Sequence, residues 1–359
     1  MLTYICYGFI ICQIGNLDTM FKQINSMPAK VCLALCALVS LIYSLNFMLF
    51  ADCYVIGGDG CFTILSNDAA EGTQAWGRGG PETGFNGVLM FGMFLAVMLL
   101  MNEGAKGMWR MMIPVIIGFS ALTASIWIHG DFTDASETPK YATLITTALY
   151  TVAYFLLRDE GVNDGLSDYK PGINVKDKFA LVALGILVLT GLFYSLRMIF
   201  TPDSVISDNF PDIARDLYTS SGTDGGMGVP SDAIVAVSGS LILIYTLWAG
   251  LVLTEGASGK WTIIHPSMFA FMTVVIATYV GLVVGNARNA SDLQQMDAVT
   301  GAVVMLLTML AYFRLRDEGM EDNMTINGEP VTDPHLMSKM LPVFGLVVGS
   351  ILAINGLMF

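Results

Sequence analysis

The chain has 359 residues, 54% of them hydrophobic and 13% charged, with a net charge of −13. Soluble domains carry about a quarter charged residues, so long apolar runs with so few charges place the chain among integral membrane proteins. The charge must then sit in loops, because it is expensive in hydrocarbon, and an acidic balance without a basic cluster speaks against nucleic acid.

In chain order, residues 1–30 read as an N-terminal cytoplasmic or interfacial segment. Its "MLTYICYGFIICQIGN" is apolar for too short a stretch to span. It is interfacial, part of a signal sequence, or an extension before Met20 or Met27, which leaves open whether residues 1–26 belong to the mature chain. Nine later stretches approach the roughly 20 apolar residues that a crossing takes. They lie near 31–50, 85–102, 111–129, 141–157, 179–200, 233–254, 262–286, 297–313 and 340–358. The fold class is therefore an all-α integral membrane protein with about nine transmembrane helices. With the N-terminus in the cytoplasm, twelve lysines and arginines fall inside and four outside, the bias expected of cytoplasmic loops. The outer loops then hold 16 acids against those four bases, so the acidic face is outside or lumenal. Which membrane this is does not follow from the sequence.

Long phrases recur. "IYSLNFMLF" at 42–50 is matched by "FYSLRMIF" at 193–200, and "NEGAKGMWRMMIP" at 102–114 by "TEGASGKWTIIHP" at 254–266. "AYFLLRDEGVNDG" at 153–165 is matched by "AYFRLRDEGMEDN" at 311–323. The pairs Tyr43/Tyr194, Glu103/Glu255, Trp109/Trp261, Pro114/Pro266 and Arg158/Arg316 are offset by 151, 152, 152, 152 and 158 residues. Such consistency points to internal duplication. It divides the chain into a first four-helix repeat, 31–165, with an acidic outer loop 51–84, and a linker, 166–178. A second four-helix repeat follows, 179–323, with an acidic outer loop 201–232, and then 324–359 as a linker and closing ninth helix. Four is an even number, so the repeats are parallel, related by an axis along the membrane normal. The ninth span starts a weaker third copy, with Lys339, Asn355 and Phe359 each 309 residues after Lys30, Asn46 and Phe50.

The E-G-A-x-G-x-W words predict tight helical hairpins at the inner boundary, anchored by Glu103, Trp109, Glu255 and Trp261. The glycines turn the chain, the indoles sit at the interface with a wet N–H, and the carboxylates are hydrated. The competing reading of the two acids is a pair of gating or cation sites. Arg158 and Arg316 suit the negative ends of helices, and the acids after them pair with those arginines or with the E-G-A hairpin. Arg197 alone lies inside a span. Together with Tyr194, Tyr43, Asn46 and Asn355 it marks one depth on three matched helices, where the residues either bridge helices and snorkel or surround a polar pocket. Cys53 and Cys61 flank "YVIGGDG" and could close a short disulfide loop on an oxidising side.

No two histidines share a span at ligand spacing, and neither a phosphate loop nor a nucleophile elbow occurs, so no catalytic or metal residue is assigned and no cofactor is evident. Bound lipid or pigment is left open. The four-span unit, with its large first outer loop carrying Cys53 and Cys61 and its short inner hairpin, is similar in topology to tetraspan membrane proteins such as the claudin superfamily. The claudin W-G-L-W word is absent, and no residue role is carried over. Two functions follow. The first is a channel or carrier for a small solute along the interface of the two repeats. The alternative is a non-catalytic structural or assembly subunit of a membrane complex, with close-approach glycines in "GVLMFG" and "GLVVGNARNA". The partners are membrane lipids with either unlike membrane subunits or further copies of the chain. A carrier is complete alone or as a homo-oligomer, whereas a subunit comes with unlike partners.

Overall fold

A computed structural model describes residues 22–49, 80–130, 137–209, 231–284, 292–326 and 328–331, with positions 340, 343 and 347. Nine α-helices occur among these residues: α1 Met27–Leu49, α2 Gly80–Glu103, α3 Trp109–His129, α4 Thr138–Leu156, α5 Lys178–Phe200, α6 Pro202–Asn209, α7 Asp232–Glu255, α8 Trp261–Val284 and α9 Asp292–Leu315. The protein is mostly helical, and five helices (α1, α2, α3, α5 and α7) are long and apolar enough to cross a bilayer. Eight of the nine expected spans coincide with a helix. The ninth lies outside the described residues except at 340, 343 and 347, which are helical. Two elements were not expected: the short α6, whose Val205 and Ile206 pack against Val235 and Met198, and an antiparallel hairpin pairing Thr325 with Pro330 and Ile326 with Glu329.

Local chemistry sets the helix starts. Ser26 accepts the Ala29 N–H at 3.3 Å, Asp177 the Ala180 N–H at 2.9 Å and Ser231 the Ile234 N–H at 3.3 Å, each satisfying a donor the helix cannot. Pro139 stands in the first turn of α4, where its missing N–H costs nothing. Pro114 and Pro266 lie inside α3 and α8, each removing one helical hydrogen bond.

Tertiary packing differs from a pair of separate four-helix bundles. The helices form a closed ring in the order α1, α2, α8, α9, α5, α7, α3, α4 and back to α1, and α2 also packs on α7 across it. The ring is thus divided into two five-helix lobes that share α2 and α7. Helices α2 and α3, joined by the first E-G-A turn, do not pack along one another; α3 lies on α7, and α2 on α1 and α8. The expected tight hairpin is a short turn between diverging helices. At Gly104 and Gly256 the backbone takes φ of 90°, a left-handed value that lets the chain leave its helix axis.

The perimeter is apolar. Leu189 is 71% exposed, Phe200 72% and Ile145 56%, a surface suited to lipid or to other membrane helices. Among the described residues Trp248, Tyr312 and Phe119 are the largest side chains that are buried completely.

Candidate functional site

At one end of the bundle the repeated words take up matched contacts. Gly107 donates its N–H to the Gly161 carbonyl at 2.8 Å, and Gly259 donates to Gly319 at 2.9 Å. Trp109 N–H reaches Val162 O at 2.9 Å, and Trp261 N–H reaches Met320 O at 3.1 Å. Glu160 accepts from the backbone N–H groups of Asn25 and Ser26 at 2.7 and 2.6 Å. Glu318 does the same for Lys176 and Asp177, the latter at 2.5 Å. Each L-R-D-E-G glutamate thus grips the backbone at the start of the first helix of its own half, a partner other than the arginine or the E-G-A hairpin expected from the sequence. Arg158 lies over the Phe155 ring at 4.3 Å.

The anchor residues are more buried than interfacial residues would be. Trp109 is 3% and Trp261 6% exposed, and the Trp109 indole N–H donates to the Asp164 carbonyl at 3.1 Å rather than to water. The reason is that the L-R-D-E-G turn folds over the indole. The two E-G-A acids have different partners. Glu103 accepts from Thr325 Oγ1, in the hairpin after α9. Glu255 holds Arg110, from the first turn of α3, and Lys260 at 3.0 Å. Arg110 also covers the Trp109 ring at 4.7 Å. Burial pushes the Lys260 ammonium below its ordinary value, against the pull of Glu255.

A second cluster has only a partial counterpart in the first half, where Tyr154 donates to Asn163 Oδ1 at 2.5 Å. His265, 3% exposed, lies between the rings of Trp261 and Tyr312, at 5.9 and 5.8 Å. Glu321 stands 3.7 Å from His265 Nε2, accepts the Tyr312 hydroxyl and pairs with Arg316 at 3.3 Å. Its carboxyl lies below the usual range, burial being outweighed by His265, Tyr312 and Arg316. At the matching places the first half has Ile113 and Asn163. His129, at the other end, shares a hydrogen bond of 3.1 Å with the Ile199 carbonyl.

The interface between the two halves is interlocked. A Cβ at Gly92 would overlap the Tyr245 hydroxyl, and one at Gly118 would overlap Ile244. Tyr245 donates to Leu89 O at 2.7 Å and Trp248 Nε1 to Met111 O at 3.3 Å. Ser125 and Ser240 share a hydrogen bond of 3.2 Å.

Of the five residues marking one depth, the four that are described fall in two separate places. Tyr43 and Asn46 are buried in the first lobe, 7% and 3% exposed. Tyr194 is 47% exposed on α5, edge-on to Phe193 at 5.4 Å, with Arg197 part-buried beside it. Helices α1 and α5 are not neighbours. Asn355, Cys53 and Cys61 lie outside the described residues. Sequence reading missed Arg110, Lys260, Tyr245 and Trp248. Their only signal was a polar or aromatic group next to a repeated glycine or inside an apolar run. Among the described residues no group of three or more potential metal ligands occurs.

Comparison with protein-family models, curated proteins and solved structures finds no match.

Proposed function

We propose that the chain is a polytopic membrane protein made of two parallel four-helix repeats and a ninth crossing, with its N-terminus in the cytoplasm and its acidic loops outside or lumenal. The matched hydrogen bonds of Gly107 and Gly259, and of Glu160 and Glu318, support the repeat. The Lys and Arg bias supports the orientation.

Its role on this reading is that of a non-catalytic structural or assembly subunit of a membrane complex. The observation that carries it is the interlocked seam. Membrane helices associate through close packing and interhelical hydrogen bonds rather than by excluding water. The contacts of Gly118 with Ile244 and of Tyr245 with Leu89 join the halves closely. A solute path along that seam would require both contacts to part. The α5 face, the least buried of the five candidate spans, leaves an apolar surface for neighbouring membrane proteins.

The test is extraction from native membranes in a mild detergent, followed by mass and composition of the particle. Unlike subunits in fixed stoichiometry are expected. A particle holding this chain alone overturns the assignment and returns the carrier reading.

A further inference from the structure

The two lobes differ in how their interior polar groups are satisfied. Among the described residues of the second lobe the buried hydroxyls find partners: Ser195 bonds to Leu192 O at 3.2 Å, Thr308 to Val304 O at 2.8 Å, and Tyr312 to Glu321. In the first lobe the buried Tyr43 hydroxyl and Ser44 Oγ have no hydrogen-bond partner. Deeper in the same lobe the Ser40 and Tyr150 hydroxyls face one another. At the corresponding positions, 151 and 158 residues on, the second half has Gly191 and Thr308. A buried polar group left unpaired costs about 1–3 kcal/mol, so the Tyr43 and Ser44 hydroxyls call for a partner that the described residues do not supply.

A cavity lies beside them. It is about 30 Å³, above the roughly 10–15 Å³ that one water needs. All five helices of the first lobe line it, through Tyr43, Met90, Phe119, Thr143 and Val237 among others. Its partly exposed lining residues, Val39, Ala142 and Thr143, belong to α1 and α4, so the cavity opens between those two helices. It sits at the end of the bundle opposite the E-G-A turns. Thr143 and Thr146 spend their hydroxyls on the carbonyls of Pro139 and Ala142, which leaves Tyr43 as the hydroxyl on the cavity that is not already bonded. Among the described residues no charged side chain lines it.

We infer that this cavity binds a small uncharged hydrogen-bonding solute of a few heavy atoms, held by the Tyr43 hydroxyl. A phenol can donate to and accept from such a molecule. The apolar walls exclude ions, whose desolvation nothing in the lobe offsets. The site does not rest on the subunit assignment.

The test is radiolytic hydroxyl labelling of the full chain in lipid nanodiscs in ¹⁸O water, read residue by residue, with formamide as the probe solute. Tyr245 is the control, equally buried at 5% exposed but bonded to Leu89 O. Tyr43 is expected to take up label many-fold faster than Tyr245. Formamide should slow that uptake, whereas formate, of similar size but charged, should not. Val39→Trp should close the mouth and abolish the fast labelling, while Leu38→Trp, on the lipid-facing side, should preserve it. Labelling of Tyr43 no faster than Tyr245, fast labelling indifferent to formamide, or equal slowing by formate would each overturn the inference.

Discussion

The Glu160 carboxylate receives the Ser26 backbone N–H at 2.6 Å across 134 residues of chain. That contact clamps the last turn of the first half onto the start of its first helix. Glu318 repeats it on Asp177 at 2.5 Å. Hydrogen bonds to a charged group contribute about 1.5–3 kcal/mol each. Glu160→Gln should therefore lower stability by about 2 kcal/mol, and Glu318→Gln by a similar amount, read as thermal midpoints in one detergent. Asp159→Asn, on an exposed neighbour, should be near silent. An Asp159→Asn loss as large as that of Glu160→Gln would show that general charge at this turn matters and the clamp does not.

Arg110 and Lys260 share the Glu255 carboxylate, which makes the cluster asymmetric. Glu255→Gln leaves two cations facing each other and should cost about 3 kcal/mol, the low end for breaking a buried pair. Arg110→Met leaves Lys260 to neutralise Glu255 and should cost only about 1 kcal/mol. Denaturation of the two single variants and of the double variant measures the coupling. Equal losses in the single variants would mean that Lys260 does not compensate.

Asp177 caps α5 and is hydrogen-bonded by Arg314 and by the Ala180 N–H, in that order of effect, so its carboxyl titrates below its ordinary 3.8. A depressed carboxylate stabilises the fold above its unfolded-state value, and that stability is lost as pH falls through the folded-state value. Asp177→Asn should be less stable than the parent near neutrality. The difference should shrink as pH drops from about 5 toward and below the folded-state value. Thermal midpoints of both proteins across that range decide it; a difference that does not change with pH would remove ionisation from the account.

Gly118 and Gly185 both lie inside long helices. A Cβ at Gly118 would meet Ile244 and, at 3.0 Å, the Ser240 carbonyl, whereas Gly185 has nothing within 4 Å. Gly118→Ala should cost about 1–3 kcal/mol through overpacking of the seam. Gly185→Ala should be neutral or stabilising by up to about 1 kcal/mol through helix propensity. Unfolding of the two variants side by side is the measurement, and a harmless Gly118→Ala would mean that the seam yields easily.

Much of this organisation was legible before any coordinates. The long helices follow from apolar run length, and the recurrence of E-G-A-x-G-x-W and L-R-D-E-G marked where equal local contacts would form. The polar-depth set fared differently. Tyr43 and Tyr194 occupy equivalent places in the sequence, yet one is buried and the other faces outward. Burial of a helical position depends on which distant helix lies against it, and the 3.6-residue period of a wholly apolar helix carries little of that information.

The sequence by itself determined the helices, their turns and the class of environment they fit, because those depend on hydropathy, capping and glycine, which act over a few residues. Only the tertiary structure decided that α3 leaves α2 for α7, that Glu255 answers Arg110, and that the Tyr43 and Ser44 hydroxyls are buried without a partner. Those outcomes depend on the fit of faces far apart in the chain, where Gly118 makes room for Ile244 and no local rule names the partner.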